Sequence, residues 1–405
     1  MKVLVLNCGS SSVKYELFET DPERSLASGL AERVGVSSSE PSVLHHQVHG
    51  HDSRTIEVDM PDHRAAIGEI VRALTATGNG VLASLDEIAA VGHRVVHGAE
   101  RFADSTIITD EVLATIEECA ELAPLHNPPN LVGIRAAREL LPGRPNVAVF
   151  DTAFHQTIPR HAYLYGLPYE CYEQYGIRRY GFHGTSHRYV TLEATTYLEE
   201  RGVPAAEQSI VTCHLGNGCS MAAVKGGKSV DTTMGFTPLE GLLMGTRCGD
   251  VDAAAVLYLM ERDALDTDAA DQLLNKQSGL LGVSGVGSDL RDVLQAEADG
   301  SPRAGAAVDV FCYRIRKYIG AYAAALGALH AVVFTAGIGE NSPPIRQRVC
   351  GGLELLGIRL DAAANEATVG PDTTVAINAP TAAVHVLVIP TNEELLIARD
   401  TAALL

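Results

Sequence analysis

No apolar run in this 405-residue chain reaches about 18 residues, so no segment is long enough to cross a bilayer as a helix. The apolar start, Val3 to Leu6, is far too short for the hydrophobic core of a signal peptide. Basic residues are scarce: 31 Lys and Arg stand against 50 Asp and Glu, a formal charge of −19. That balance excludes general nucleic-acid binding, which needs a basic face. It also requires any bound polyphosphate to meet locally concentrated cations, because the wider surface repels it. None of the eight cysteines forms a C-x-x-C pair, which argues against a zinc ribbon or a disulfide framework and for a reducing, cytoplasmic setting.

What the chain does have is a repeated sentence. Val3-Leu-Val-Leu-Asn-Cys-Gly-Ser-Ser-Ser-Val-Lys14 reads as strand, small-residue turn, strand. Ile210-Val-Thr-Cys-His-Leu-Gly-Asn-Gly-Cys-Ser-Met221 reads the same way about 200 residues later. Small side chains in such turns let backbone N–H groups approach an anion closely. Two such turns predict two related α/β halves closing on one polyphosphate, the architecture of a two-domain phosphotransferase.

Helical spacing is predicted over Asp62 to Leu74 and Asp110 to Leu122, with Asp62 and Thr109 as caps. Pro129 to Leu141, Ser186 to Glu200, Ala304 to Leu326 and Asn392 to Ala403 also read as helices. Asn146 to Phe150, Ala331 to Thr335 and His385 to Pro390 read as strands. Alternating strands and helices imply sheets covered on both faces. Val36 to Arg54, rich in Ser and His, reads as the least ordered stretch. Its His45, His46, His49 and His51 are too irregularly spaced for a metal site and are expected in an exposed loop.

Several segments are hard to explain as scaffold. Gly92-His-Arg-Val-Val-His-Gly98 and Met244-Gly-Thr-Arg-Cys-Gly-Asp250 each set one arginine among glycines. Arg94 and Arg247 could be surface ion pairs, but the glycines suggest close approach to a ligand. Pro124-Leu-His-Asn-Pro-Pro129 reads as a rigid loop presenting His126 and Asn127. Asp151, at a strand end, could cap a turn or serve a site. His183 and His187 lie four apart at a helix start; the intervening Gly-Thr-Ser lacks a zincin glutamate, so no metal pair is expected, and His187 reads as structural. Gly337-x-Gly339 lacks the third glycine of a dinucleotide fingerprint and reads as a nucleoside-contacting turn.

Taken in order, Asn7 to Lys14, His93 to Gly98, Phe150 to His155, Gly181 to His187, His214 to Gly218, Gly337 to Asn341 and Thr391 to Glu394 resemble the acetokinase family over nearly the whole chain. The resemblance implies two duplicated actin-like, sugar-kinase-like ATPase domains with an interdomain cleft. The first would be 1–150 plus 392–405, the C-terminal helix returning to it, and the second 151–391 with the nucleotide segments. It implies reversible transfer of the ATP γ-phosphoryl group to acetate, giving acetyl phosphate and ADP, with Mg²⁺ or Mn²⁺ and usually as a homodimer. Propionate or another short acyl acceptor is the nearest alternative; an actin-like filament or chaperone ATPase is one from another class.

By the same resemblance, Arg94 binds acetate and Arg247 the phosphoryl group in flight. His183 and Asn217 donate to its oxygens, Asp151 orients an arginine or metal-bound water, and Asn7 and Glu393 hold the metal. Lys14, with His214, Leu215, Gly216, Asn217 and Gly218, contacts the nucleotide. So do Asp289, Leu290 and Arg291, and the run Gly337, Ile338, Gly339, Glu340 and Asn341. Val96, Leu125, Phe182 and Pro238 form the pocket for the methyl group. Cys248, Ala253 and Ala99 depart from the family's usual Ser, Pro and Gly.

Overall fold

Valine and leucine alternate along Val3-Leu-Val-Leu6, and in the computed structural model of the protein the two sets pack on opposite faces of one sheet, as a pleat demands. The structure describes residues 1–36, 40–76, 80–123 and 126–405. Val3 and Val5 cluster with Phe18, Val147 and Val149 beneath Ile397 and Ala398 of the C-terminal helix, Glu393–Ala403. Leu4 and Leu6 cluster with Tyr15 and Leu17 against Ile67, Ile70 and Leu74 of helix His63–Thr75 and Ala136 and Ala137 of helix Asn127–Leu140.

The strands of this sheet are β1 (Lys2–Cys8), β2 (Ser12–Thr20), β3 (Glu23–Glu32), β4 (Val43–Val48), β5 (Arg54–Glu57), β6 (Ile88–Val95), β7 (Thr106–Ile107) and β8 (Asn146–Phe150). Their order is β5-β4-β3-β2-β1-β6-β8-β7. A second sheet holds β9 (Ser209–Leu215), β10 (Cys219–Lys225), β11 (Lys228–Thr232), β12 (Ala331–Thr335), β13 (Val375–Ala376) and β14 (His385–Val388), in the order β11-β10-β9-β12-β14-β13. The two share a kernel. In each, an antiparallel meander (β3-β2-β1; β11-β10-β9) is extended by two parallel strands (β6, β8; β12, β14). The protein is therefore α/β and internally duplicated.

The chain separates into two compact units, Met1–Phe154 with Asn392–Leu405, and His155–Thr391. The division falls just past the expected junction, so Asp151 lies with the first unit. No helix among the described residues is long and apolar enough to cross a membrane.

Most helices match their sequence periodicity. Asp62 Oδ1 caps helix His63–Thr75 through the Ala65 N–H at 2.7 Å, and Thr109 Oγ1 caps Asp110–Glu118 through Val112 at 3.2 Å. Helix Pro302–Leu326 buries the expected stripe of Val308, Phe311, Ile315, Ile319 and Tyr322. The expected loop from Val36 to Arg54 is a correction. Residues 37–39 lie outside the described residues, but 43–48 form β4, hydrogen-bonded between β3 and β5. Alternation puts His46 inside, 4% exposed and bonded to the Tyr15 hydroxyl, while His45 meets Glu32 at 3.1 Å on the other face. Pairing with β3 supplies the order that composition conceals.

Candidate functional site

Parallel strands β1, β6 and β8 end at the same edge of the first sheet, and that edge gathers the polar residues of the first unit. β1 carries Asn7, β6 carries Arg94, β8 delivers Asp151, and the helix starting at Glu393 arrives beside them. Arg94 grips Asp151 with two prongs, Nε to Oδ1 at 3.2 Å and Nη2 to Oδ2. Its Nη1 lies 3.5 Å from Asn7 Oδ1 and its Nε 3.8 Å from Glu393 Oε2. Burial opposes the charge on Arg94, but Asp151 and then Glu393 outweigh it and raise its pKa. Asp151 is thus paired with an arginine. Burial pushes the Glu393 carboxyl up to about 7, against the pull of Arg94 and with the charges of Asp151 and Glu394 adding to the rise. Lys14, expected at phosphate, pairs with Glu394 at 2.6 Å.

Two buried amides hold the segment after Arg94. Asn130 Oδ1 accepts the Val96 N–H at 3.1 Å, and its Nδ2 donates to the Cys8 carbonyl at 2.8 Å. Asn127 accepts from the His97 N–H at 3.1 Å and donates back to the His97 carbonyl at 2.9 Å. Asn127 is fully buried at the first turn of its helix, which corrects its expected presentation on a loop. Asn130 was not singled out in the sequence; its only signal is its place three residues on, one helical turn along the same face. Val96 is buried, and Leu125, like Pro124, lies outside the described residues.

Ala99 stands where the family usually has glycine, and its φ is +49°. A Cβ in the left-handed region costs about 1–2 kcal/mol, while glycine costs about 0.4–1 kcal/mol through the unfolded chain. Ala99→Gly is therefore expected to stabilise the protein by about 0.5–1 kcal/mol, read as a raised midpoint in urea. An unchanged or lowered midpoint would sink the idea. Ala253, in place of proline, is the first residue of helix Ala253–Arg262, where proline is merely favoured, and Asp252 still caps that helix. The Cys248 thiol donates to the Gly249 carbonyl at 3.2 Å, as a serine hydroxyl could.

In the second unit, the β9–β10 turn, the start of helix Gly184–Glu199 and the Arg247 loop converge. His183 sits at the helix N-cap with φ +56°, and its ring stacks on His214 with centroids 4.2 Å apart. A Cβ built on Gly218 would lie in ordinary van der Waals contact, 3.5 Å from His183 Cε1 and 3.7 Å from Arg247 Nη1, so the turn runs beside both side chains. Gly245 donates to the Asn217 carbonyl at 3.0 Å, and a Cβ there would collide with Asn217 Oδ1. His183, Asn217, Gly218 and Arg247 are therefore neighbours. Leu215 is buried in β9, and His214 Nδ1 meets Ser186 Oγ at 2.8 Å.

Arg247 is unlike Arg94. Its Nη1 reaches only the Pro238 carbonyl at 3.5 Å and Met244 Sδ at 3.7 Å, and no ion pair to it occurs among the described residues. Burial lowers its pKa, against an opposing contribution from Cys219. A partly buried guanidinium without an acid beside a glycine turn is suited to an anion.

The remaining expected nucleotide residues have local duties. Asp289 caps helix Leu290–Ala298 and pairs with the exposed Arg291, while Leu290 is buried. Gly337 to Asn341 form a short helix after β12 rather than an open turn. Gly339 packs against the Phe334 backbone, Asn341 Nδ2 donates to the Gly337 carbonyl at 2.9 Å, and Ile338 is part of the same turn. Glu340 Oε1 accepts from the Ala336 N–H at 2.7 Å and the Thr391 N–H at 3.1 Å. Arg346, which the sequence did not flag, is fully buried and donates to the carbonyls of Gly339 and Glu340 at 2.9 and 3.0 Å. An arginine on a helix gives no sequence signal for that duty. Phe182 is buried and Pro238 half-buried in this unit.

The profile of the acetokinase family matches residues 2–399. An acetate kinase of Alkaliphilus metalliredigens is 54% identical over 406 residues, covering 100% of both chains. One from Methanosarcina acetivorans is 54% identical over 401 residues, 99% of this chain and 96% of that one. Among solved structures, Porphyromonas gingivalis acetate kinase superposes with a TM-score of 0.94 at 48% identity, covering 99% of each chain. A propionate kinase from Francisella tularensis gives 0.90 at 39%, covering 100% of each.

Proposed function

The chain belongs to the acetokinase family, and from that footing we propose that it transfers the γ-phosphoryl group of ATP to acetate, reversibly and in line, giving acetyl phosphate and ADP. Acetate needs no general base, because a carboxylate is already ionised at neutral pH. The chemistry lies in holding two anions together and neutralising the charge that spreads over the transferring group. The observation that carries the reading is Arg247: a desolvated cation with no acidic partner among the described residues, set beside His183, Asn217 and the Gly218 backbone. In this reading Arg247 meets the phosphoryl oxygens, His183 and Asn217 donate to them, and Arg94 takes the acetate carboxylate. Asp151 occupies two N–H groups of Arg94 and so sets its plane, leaving its remaining donors for substrate.

Asn7 and Glu393 are hard oxygen donors of the kind a small divalent cation accepts, and the charge on Glu393 is poorly compensated by protein. They fit Mg²⁺, or Mn²⁺ in its place, with most remaining ligands coming from water and phosphate. When bound, the ion supplies neutralisation of phosphate oxygens. Nucleotide contacts are assigned to Lys14, His214 to Gly218, Asp289 to Arg291 and Gly337 to Asn341. A hydroxylamine assay for acyl phosphate tests the whole: product should need ATP, acetate and Mg²⁺ or Mn²⁺ together. Turnover without a divalent ion, or ATP hydrolysis indifferent to acetate, would count decisively against it.

Val96, with Phe182, Pro238 and Leu125, is assigned to the methyl pocket. Val96→Ala removes two methyl carbons and makes room for roughly one methylene, worth about 0.8 kcal/mol. The propionate-to-acetate ratio of kcat/KM should rise several-fold, with kcat on acetate little changed. An active variant with an unaltered ratio would place the pocket elsewhere.

A cytoplasmic homodimer belongs to the same reading. Supporting it, helix Ala253–Arg262 has no buried residue, although Leu257 and Tyr258 are 67% and 63% exposed. Leu257→Asp with Tyr258→Asp should halve the mass seen in light scattering; a wild-type protein that is already monomeric would refute the dimer.

A further inference from the structure

Behind His183, on the side of the ring away from Nε2, runs a line of buried hydrogen bonds that the phosphoryl chemistry does not itself use. Ser220 Oγ lies 2.9 Å from His183 Nδ1 and 2.8 Å from His187 Nε2. On its far side, His187 Nδ1 lies 2.7 Å from Thr212 Oγ1. His187, Ser220 and Thr212 have no solvent exposure, so this line is shut off from water. We propose that Thr212, His187 and Ser220 are positioning residues that fix the tautomer of His183, leaving the ring proton on Nε2. The proposal rests on the reading of His183 as a donor to the transferring phosphoryl group, and it says how that donor is made.

Proton counting supplies the direction. Ser220 has one hydroxyl proton and sits between two imidazole nitrogens, so it donates to one ring and accepts from the other. Burial holds His187 well below its ordinary pKa, with His155 and His214 adding to the effect, so His187 is neutral and has a single N–H. Only two orders remain. In the first, the Thr212 hydroxyl donates to His187 Nδ1, His187 Nε2–H donates to Ser220, and Ser220 donates to His183 Nδ1. His183 is then neutral and its proton is on Nε2. In the second, every bond is reversed, and His183 keeps its proton on Nδ1.

Thr212 decides between them. Among the described residues its hydroxyl has no hydrogen bond other than that to His187. The first order uses the Thr212 proton, whereas the second strands it in a fully buried position. A buried donor left unsatisfied costs about 1–3 kcal/mol, enough to favour the first order roughly tenfold or more. The same order suits the chemistry. Phosphoryl oxygens only accept hydrogen bonds, and a lone pair on Nε2 would repel them. The stack on His214, with an interplanar angle of 22°, holds the plane of the ring, and turning the ring over within that plane would put Cδ2 in place of Nδ1 and forfeit the Ser220 bond.

The isosteric substitution Thr212→Val provides the test, because it touches neither His183 nor any substrate. Full-length enzyme is labelled with ¹⁵N-histidine, and the His183 signals are identified by their loss in His183→Gln. In the wild type without substrates, His183 should show Nε2–H and an acceptor Nδ1. His187, identified by the loss of its signals in His187→Gln, should likewise show Nε2–H and an acceptor Nδ1. Thr212→Val removes the donor to that Nδ1, so the His187 Nδ1 signal should move to the value of an unbonded acceptor while His183, still served by Ser220, keeps Nε2–H. Ser220→Ala should unbond His183 Nδ1 in the same way and lower kcat by up to about tenfold, a part of the roughly hundredfold or greater loss from deleting such a donor outright, with KM for acetate within about twofold. Wild-type His183 or His187 carrying Nδ1–H, or a His187 Nδ1 signal unmoved by Thr212→Val, would overturn the chain. Ser220→Ala is the riskier variant to fold, and the wild-type tautomers together with Thr212→Val decide without it. The NMR readout needs no turnover, so an enzyme that fails to phosphorylate acetate yet shows the expected tautomer refutes the functional reading and leaves the relay standing.

Discussion

Arg247→Ala is expected to lower kcat for acetyl phosphate formation by about 10²–10³-fold while KM for acetate moves little, because removing one preorganised partner of a developing charge costs about 2.7–4 kcal/mol. The contact strengthens as negative charge spreads over the transferring group, so its loss appears in kcat rather than in ground-state binding. Stability should not suffer. Arg247 makes no ion pair among the described residues, and burial already works against its charge. The thermal midpoint should hold or rise even as activity collapses. Steady-state kinetics with a melting curve on the same preparation give both numbers. A kcat within threefold of wild type, or a KM for acetate rising in step with the fall, would remove Arg247 from the transferring group.

Arg94→Ala should show the opposite signature. Hydrogen bonds to a charged group contribute about 1.5–3 kcal/mol, so losing the acetate carboxylate contact should raise KM for acetate by roughly 10–100-fold. This variant should also lose stability. Arg94 is the cation that compensates Asp151, whose side chain is 1% exposed, and Glu393 lies close by at 3.8 Å. Removing one partner of a buried pair costs about 3–5 kcal/mol, because the other charge is left in low dielectric. Urea unfolding should report that loss independently of kinetics. Matching kinetic defects in the two arginine variants would refute the division of labour, and a fully stable Arg94→Ala would refute the account of the Asp151 pair.

The pair shows what could be read in advance. Arg94 and Arg247 both stand out in sequence as single cations among glycines, and nothing in either segment tells a paired arginine from an unpaired one. The difference is that β8 ends beside β6 and delivers Asp151 to Arg94, whereas among the described residues no carboxylate pairs with Arg247. Asn130 and Arg346 carry the same lesson. Each binds backbone from a separate segment, the Cys8 carbonyl in one case and the Asn365 and Thr368 carbonyls in the other, at separations along the chain that no local pattern encodes.

By itself the sequence determined the periodic elements, the two strand-turn-strand repeats and the ordered motifs that mark the family. These depend on residues close together in the chain: alternation sets which face of β1 is buried, and caps such as Asp62 and Thr109 act within one turn. Only the tertiary structure decided that 43–48 is a strand, that Asn127 is buried, and that Thr212, His187, Ser220 and His183 form one line. Each of those outcomes needs partners from separate elements, and a buried hydrogen bond is selected by what else can satisfy it, a condition set only once the sheets have formed.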